Sequence, residues 1–130
     1  MRPENYTILL LHSAPVVRRV TREILEQKGY VVRATGDLGV AVDMLHETKP
    51  DLLLVDLYVG DISGHDAAMY LTGKCPSMGV LIIAGVPADQ RMENRTVGEG
   101  FRVFPKPFHP ADLLAAVDDA LDANRKRLHG

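Results

Sequence analysis

Pro50-Asp51-Leu52-Leu53-Leu54-Val55-Asp56 is the stretch that decides the fold. Leu52 to Val55 are all apolar, do not alternate with polar residues, and run directly into a carboxylate. A half-buried strand would alternate. An unbroken run this short reads as a strand covered on both faces, as in a parallel sheet between helices. Ile8-Leu9-Leu10-Leu11 and Val80-Leu81-Ile82-Ile83 repeat the pattern on either side. Two weaker strands are predicted at Val31-Val32-Arg33-Ala34, after Gly29-Tyr30, and at Phe101-Arg102-Val103-Phe104, after Gly100.

Helical spacing fills the gaps. Val17, Val20, Ile24 and Leu25 fall on one predicted face of a helix from about Pro15 to Lys28. Arg18, Arg19, Arg22, Glu23 and Glu26 take its wet face, and Gly29 is placed to end it. Asp37 is placed to cap a second helix carrying Val40, Ala41, Met44 and Leu45, which should stop before Lys49-Pro50. A third helix covers about His65 to Thr72 and ends at Gly73; a fourth, polar one lies between Ala88 and Glu99. The last follows His109-Pro110, with Leu113, Leu114, Val117 and Leu121 on one stripe and Asp112 in its first turn. This β-α order, repeated five times, implies a parallel sheet with right-handed crossovers and helices on both faces. The expected fold is α/β, a flavodoxin-like (βα)5 doubly wound sheet of strand order 2-1-3-4-5. Residues 1–130 read as one domain with a core of about 5–123. Residues 124–130 read as a basic tail, either the solvated end of the last helix or the start of a linker.

Composition agrees and excludes several classes. The chain has 130 residues, 46% hydrophobic and 25% charged, which suits one ordinary globular domain. Fifteen Lys and Arg against 17 Asp and Glu leave a net charge of −2, too acidic for a general nucleic-acid binder. The single cysteine, Cys75, excludes an internal disulfide framework and a cysteine zinc site, and reads as a loop thiol beside Pro76. No apolar run is long enough to span a membrane, and Met1 to Tyr6 carry no signal-peptide core, so a cytoplasmic address is expected.

In a doubly wound sheet the functional crevice lies at the carboxyl ends of the strands, near the switch between strands 1 and 3. The residues there are His12-Ser13, Asp56-Leu57-Tyr58, Ala84-Gly85 and Lys106-Pro107-Phe108. Asp56 stands at the lip of a buried strand, and Lys106 is placed to pair with it. Pro50 to Asp56 resembles the segment ending in the phospho-accepting aspartate of response-regulator receiver domains, the signalling modules of two-component systems. Phe104-Pro105-Lys106-Pro107-Phe108 resembles the Lys-Pro-Phe signature of that family, and the resemblance covers roughly residues 5 to 123.

The resemblance implies that Asp56 is the phospho-acceptor and Lys106 the phosphate-pairing lysine. It also implies Mg²⁺ bound by two acids at the end of strand 1, a Ser or Thr ending strand 4, and an aromatic switch three positions before the lysine. This chain has His12, Ser13, Ala84 and Val103 in those places. Phosphoryl transfer is mostly positioning plus charge neutralisation, and Mg²⁺ wants oxygen ligands. The expected function is therefore a receiver-like, non-enzymatic interaction module with impaired Mg²⁺-dependent phosphorylation and no cofactor, Mg²⁺ binding being weak or absent. The alternative is a conventional receiver phosphorylated on Asp56. Expected partners are a histidine kinase or phosphotransfer protein, and a second copy through the fourth helix, fifth strand and last helix; nucleic acid and membrane are not expected.

Other constellations carry less. His12, His65 and His109 lack the His-x-x-x-His spacing of a metal site. Asp61 and Asp66 suit capping or solvating the loop before the third helix. Gly98-Glu99-Gly100 has no strand before it and no helix after it, so it is not a dinucleotide loop. A small cofactor-binding flavodoxin-like protein is the third reading. A flavin phosphate needs a Ser/Thr- and Gly-rich loop after strand 1, and His12-Ser13-Ala14-Pro15 has one hydroxyl, no glycine and a proline without an amide. The Asp-x-His-x-x-Gly motif that resemblance to cobalamin binders would require is absent.

Overall fold

The computed structural model describes residues 5–84, 102–105 and 109–129. In chain order the elements are β1 (Thr7–Leu11), α1 (Pro15–Lys28), β2 (Val31–Thr35), α2 (Leu38–Glu47), β3 (Leu52–Asp56), the short strands β4 (Tyr58–Val59) and β5 (Ile62–Ser63), α3 (Gly64–Lys74), β6 (Gly79–Ala84), β7 (Arg102–Pro105) and α4 (Pro110–His129). The five principal strands form one parallel sheet in the order β2-β1-β3-β6-β7. That is the flavodoxin-like order 2-1-3-4-5 anticipated from the apolar runs. The fourth predicted helix, Phe101, Lys106 and Phe108 lie outside the described residues.

Side chains alternate between the two faces of a strand, so each apolar run feeds two cores. Leu9, Leu11, Leu53, Val55 and Ile82 pack on one face with Ala41 and Leu45 of α2 and Ala67, Ala68 and Leu71 of α3. Ile8, Leu10, Leu52, Leu54, Leu81 and Ile83 pack on the other with Leu25 of α1 and Leu113, Val117 and Leu121 of α4. Each fully buried aliphatic side chain contributes about 1.5–3 kcal/mol. The central strands need that covering because neither face meets water.

Local signals set the helix ends. Pro15 opens α1, where a missing N–H costs nothing. Gly29 closes it at φ 111, with its N–H on Glu26 O and the Tyr30 N–H on Leu25 O, a Schellman arrangement. Asp37 caps α2 as expected, accepting the Val40 N–H at 3.0 Å. α3 starts one residue before and ends two residues after the expected limits: Ser63 caps its start, and the helix passes through Gly73 to close at Cys75, which is buried. The hairpin β4–β5 has no counterpart in the sequence reading, since strands of two residues leave no periodicity to detect. Gly60, at φ 60 in the first position of its two-residue turn, is the residue a II′ turn wants.

Two helices depart from the predicted faces. On α1, Leu25 is buried and Ile24 partly buried as expected, but Val17 and Val20 are 36% and 45% exposed and Thr21 is buried. Arg18, expected in water, is half-buried as well, and its guanidinium donates to the His12 carbonyl at 2.7 Å. On α2, Val40 is exposed, and burial falls to Ala41 and Leu45.

At the amino edge of the sheet, α4 is fastened to the strands. Asn124 is buried and donates to Ser77 O at 2.9 Å and Asp51 O at 3.3 Å. Arg127 donates to Asn124 Oδ1 and Pro76 O. A Cβ on Gly79 would stand 3.0 Å from the Asn124 side chain, so the lack of one is what admits the amide. The basic tail thus begins inside the helix: Asn124 is part of the packing, while residues 125–129 are exposed.

Burial pushes the Tyr30 phenol above its ordinary value of 10.0, with Asp118 and then Tyr6 adding to the effect. A phenol whose folded value is raised stabilises the fold fully below its unfolded value, and that contribution is lost as pH climbs beyond it. The Tyr30 contribution is therefore level below pH 10.0; urea midpoints should fall as pH climbs above it, and Tyr30→Phe should flatten that fall.

Candidate functional site

The site lies at the carboxyl edge of β3, the central strand, and its neighbour β1. Asp56 is the last residue of β3, with its side chain 17% exposed. Its Oδ1 accepts the Leu57 N–H at 3.0 Å, an N–H that also reaches Ile83 O at 2.8 Å. The carboxylate is thus tied to the backbone where β3 and β6 part.

The chain then doubles back through the β4–β5 hairpin and crosses its own path. The Gly64 N–H bonds to Leu57 O, and a Cβ on Gly64 would lie 2.0 Å from Asp56 O and 2.9 Å from Asp56 C. Those atoms are backbone and cannot swing aside. Gly64 is needed for space, not for an unusual φ, and it sets how closely α3 approaches Asp56. Nothing in the sequence marks it, because the expected helix began at His65 and a glycine just before a helix is ordinary.

His12 follows β1, with its N–H on Thr35 O at 3.1 Å, and its side chain is buried. Nδ1 accepts the Ala14 N–H at 3.1 Å. An accepting Nδ1 carries no proton, so the proton is on Nε2, which lies 3.5 Å from Asp56 Oδ2. The imidazole therefore turns an N–H edge toward the carboxylate. Ser13 is exposed beside it. Behind His12, Arg18 Nη1 donates to the His12 carbonyl, and a Cβ on Gly36 would come 2.5 Å from that same Nη1.

The remaining candidates are dispersed. Ala84 ends β6 opposite Pro105, and Val103 pairs with Ile82, which puts both backbones at the expected strand positions. His65 is buried in the first turn of α3, whereas His109 is exposed before α4. Asp61 is exposed in the hairpin turn, and Asp66 is exposed in the first turn of α3 with its N–H on Ser63 Oγ. Among the described residues no three His, Cys, Asp or Glu side chains are placed to share a metal ion.

A doubly wound sheet with an aspartate ending its middle strand agrees with the resemblance to receiver domains. The chain belongs to the response regulator receiver domain family, whose profile matches residues 8–118. It is 28% identical over 116 residues to the response regulator receiver protein CpdR of Brucella abortus, covering 89% of this chain and 97% of that one. It is 28% identical over 118 residues to the sensor protein TorS of Escherichia coli, covering 90% of this chain and 13% of TorS. The chain spans only 13% to 58% of the length of TorS, TcrX, PdtaR and NtrC, the larger regulators it matches. Among solved structures, a CheY-like receiver domain from Methanospirillum hungatei superposes with a TM-score of 0.84 at 24% identity, covering 94% of this chain and 98% of that one. A receiver domain from Clostridium thermocellum superposes at 0.83 with 23% identity, covering 96% and 99%.

Gly64→Ala should cost about 1–3 kcal/mol by overpacking against the Asp56 backbone. Urea denaturation measures the loss, and the His12 imidazole proton resonance should shift, because the displaced strand end carries Asp56 with it.

Proposed function

We propose that this receiver domain acts as a protein-interaction module in a two-component or phosphorelay pathway, with Mg²⁺-dependent phosphorylation of Asp56 impaired. The observation behind the reading is the N–H edge that His12 turns on the Asp56 carboxylate. Mg²⁺ is hard and takes oxygen ligands, preferably carboxylates. His12 offers a nitrogen, and its proton occupies the side a cation would approach. Moving that proton to Nδ1 would set it against the Ala14 N–H. The residues at the end of β1 therefore do not fit Mg²⁺. Ala84 supplies no hydroxyl for a phosphoryl group, a type of loss that costs on the order of 10²–10³ in rate in other active sites.

On this reading the domain catalyses no reaction and takes no cofactor. Its partner is a histidine kinase or a phosphotransfer protein, in keeping with its likeness to a sensor protein and to transcriptional regulators. A homodimer would use β7, α4 and the 88–99 segment, independent of phosphodonor.

Two experiments test the reading. Millimolar Mg²⁺ should leave the thermal midpoint unmoved, whereas a ligand at 100 times its Kd would add about 2.7 kcal/mol of stability. Restoring the family's groups with His12→Asp, Ser13→Asp and Ala84→Thr together should raise acetyl-phosphate labelling of Asp56, read by intact mass, well above that of the parent. A parent that labels fully with Mg²⁺ present would overturn the reading in favour of a conventional receiver.

A further inference from the structure

We propose that Arg18 is a positioning residue of the Asp56 site, acting through the main chain of His12 from a notch that Gly36 keeps open. The inference rests on the reading of His12 as a group that turns its N–H edge on Asp56, and it adds how His12 itself is held.

Three observations converge. Arg18 Nη1 donates to His12 O at 2.7 Å, a charge-assisted bond to the residue whose imidazole meets Asp56. The guanidinium occupies space that any side chain on Gly36 would take, since a Cβ there would stand 2.5 Å from Nη1 and 3.1 Å from His12 O. The third is the orientation of α1. Val17 and Val20 would suit the inward face, yet they are exposed while Arg18 turns in. An arginine left in water and two valines packed inward would be the ordinary arrangement for an amphipathic helix. Here Leu25 and Ile24 still pack inward, and Arg18 turns in beside them to donate to the His12 carbonyl.

That carbonyl belongs to a short hydrogen-bonded path. His12 is held at both ends of its main chain, by Thr35 O on its N–H and by Arg18 on its C=O. Its ring is oriented by the Ala14 N–H on Nδ1. With all three in place, Nε2 has one direction to face, and Asp56 Oδ2 lies in it. Loss of the Arg18 grip frees the carbonyl end, so the peptide between His12 and Ala14 can rotate and the ring can turn with it. The turn before α2 and the first turns of α1 thereby set the geometry of a carboxylate on β3.

The test is long-range ¹H–¹⁵N spectroscopy of the histidine rings in the full chain, with His12 assigned by its loss in His12→Gln. The parent should show His12 with Nδ1 unprotonated and Nε2 protonated. Arg18→Met keeps the apolar stem and removes the donor. It should move both His12 nitrogen signals toward the average of exchanging tautomers. Gly36→Ala leaves the arginine in place but fills its notch, and it should move them the same way. Arg18→Lys, which retains a single donor, should restore part of the parent pattern, and Arg19→Met on the exposed face should change nothing. Thermal melts of each variant establish that it is folded. His12 signals unmoved in folded Arg18→Met and folded Gly36→Ala would overturn the proposal. The outcome is independent of phosphorylation. Full acetyl-phosphate labelling of the parent would sink the proposed function and leave these shifts standing, whereas unmoved shifts would sink the role of Arg18 whatever the labelling.

Discussion

The amide of Ala14 bonds to Nδ1 of His12, and this one contact decides which edge of the imidazole meets Asp56. Had Nδ1 been the protonated atom, Nε2 would present a lone pair to a carboxylate, and the two would repel. The bond exists because the chain turns sharply between β1 and α1, where Pro15 begins the helix and leaves Ala14 in an extended conformation with its N–H pointing back. A feature as local as the start of a helix thus fixes the polarity of a site whose acid comes from another strand. A neutral N–H facing a carboxylate is a modest interaction beside a metal held by three acids. It is also directional, which a bare ion in water is not.

Much of this architecture could be read from the sequence, for a plain physical reason. The apolar runs at residues 8–11, 52–55 and 80–83 are too continuous for a sheet with a wet face, so they enforce helices on both sides and with them a parallel order. The position of Asp56 at the end of the middle run follows at once, and so does that of His12 beside it. The cap at Asp37 and the stop at Gly29 are equally local, and both stand.

What the sequence did not reveal depends on contacts between distant segments. Arg18 looks like any charged residue on a helix, and only the carbonyl of His12 and the bare α-carbon of Gly36 explain why it turns inward. Gly64 looks like a loop glycine, and only the crossing of the Asp56 backbone gives it a task. Val17, Val20 and Val40 carry the periodicity of a buried face and are exposed, since hydrophobic pattern fixes a helix's rotation only to within about one residue step. Lys106 and the polar fourth helix lie outside the described residues, and the side chain of Val103 belongs with them.

The two apolar clusters stop short of the pocket. Every residue from Ile8 to Leu11 and from Leu52 to Val55 belongs to one or the other, while His12 and Asp56, the very next residues, belong to neither. Apolar burial, the main favourable contribution to folding, is therefore concentrated in the strand interiors and the helices that cover them, while His12 and Asp56 stand at the rim and are held by polar contacts. Such a division loosens the tie between what a lineage must keep and what it can change. A substitution at the rim can change what the site does while the two apolar clusters that carry the scaffold stay intact. Gly64 marks the limit of that freedom, because there the rim and the scaffold share atoms.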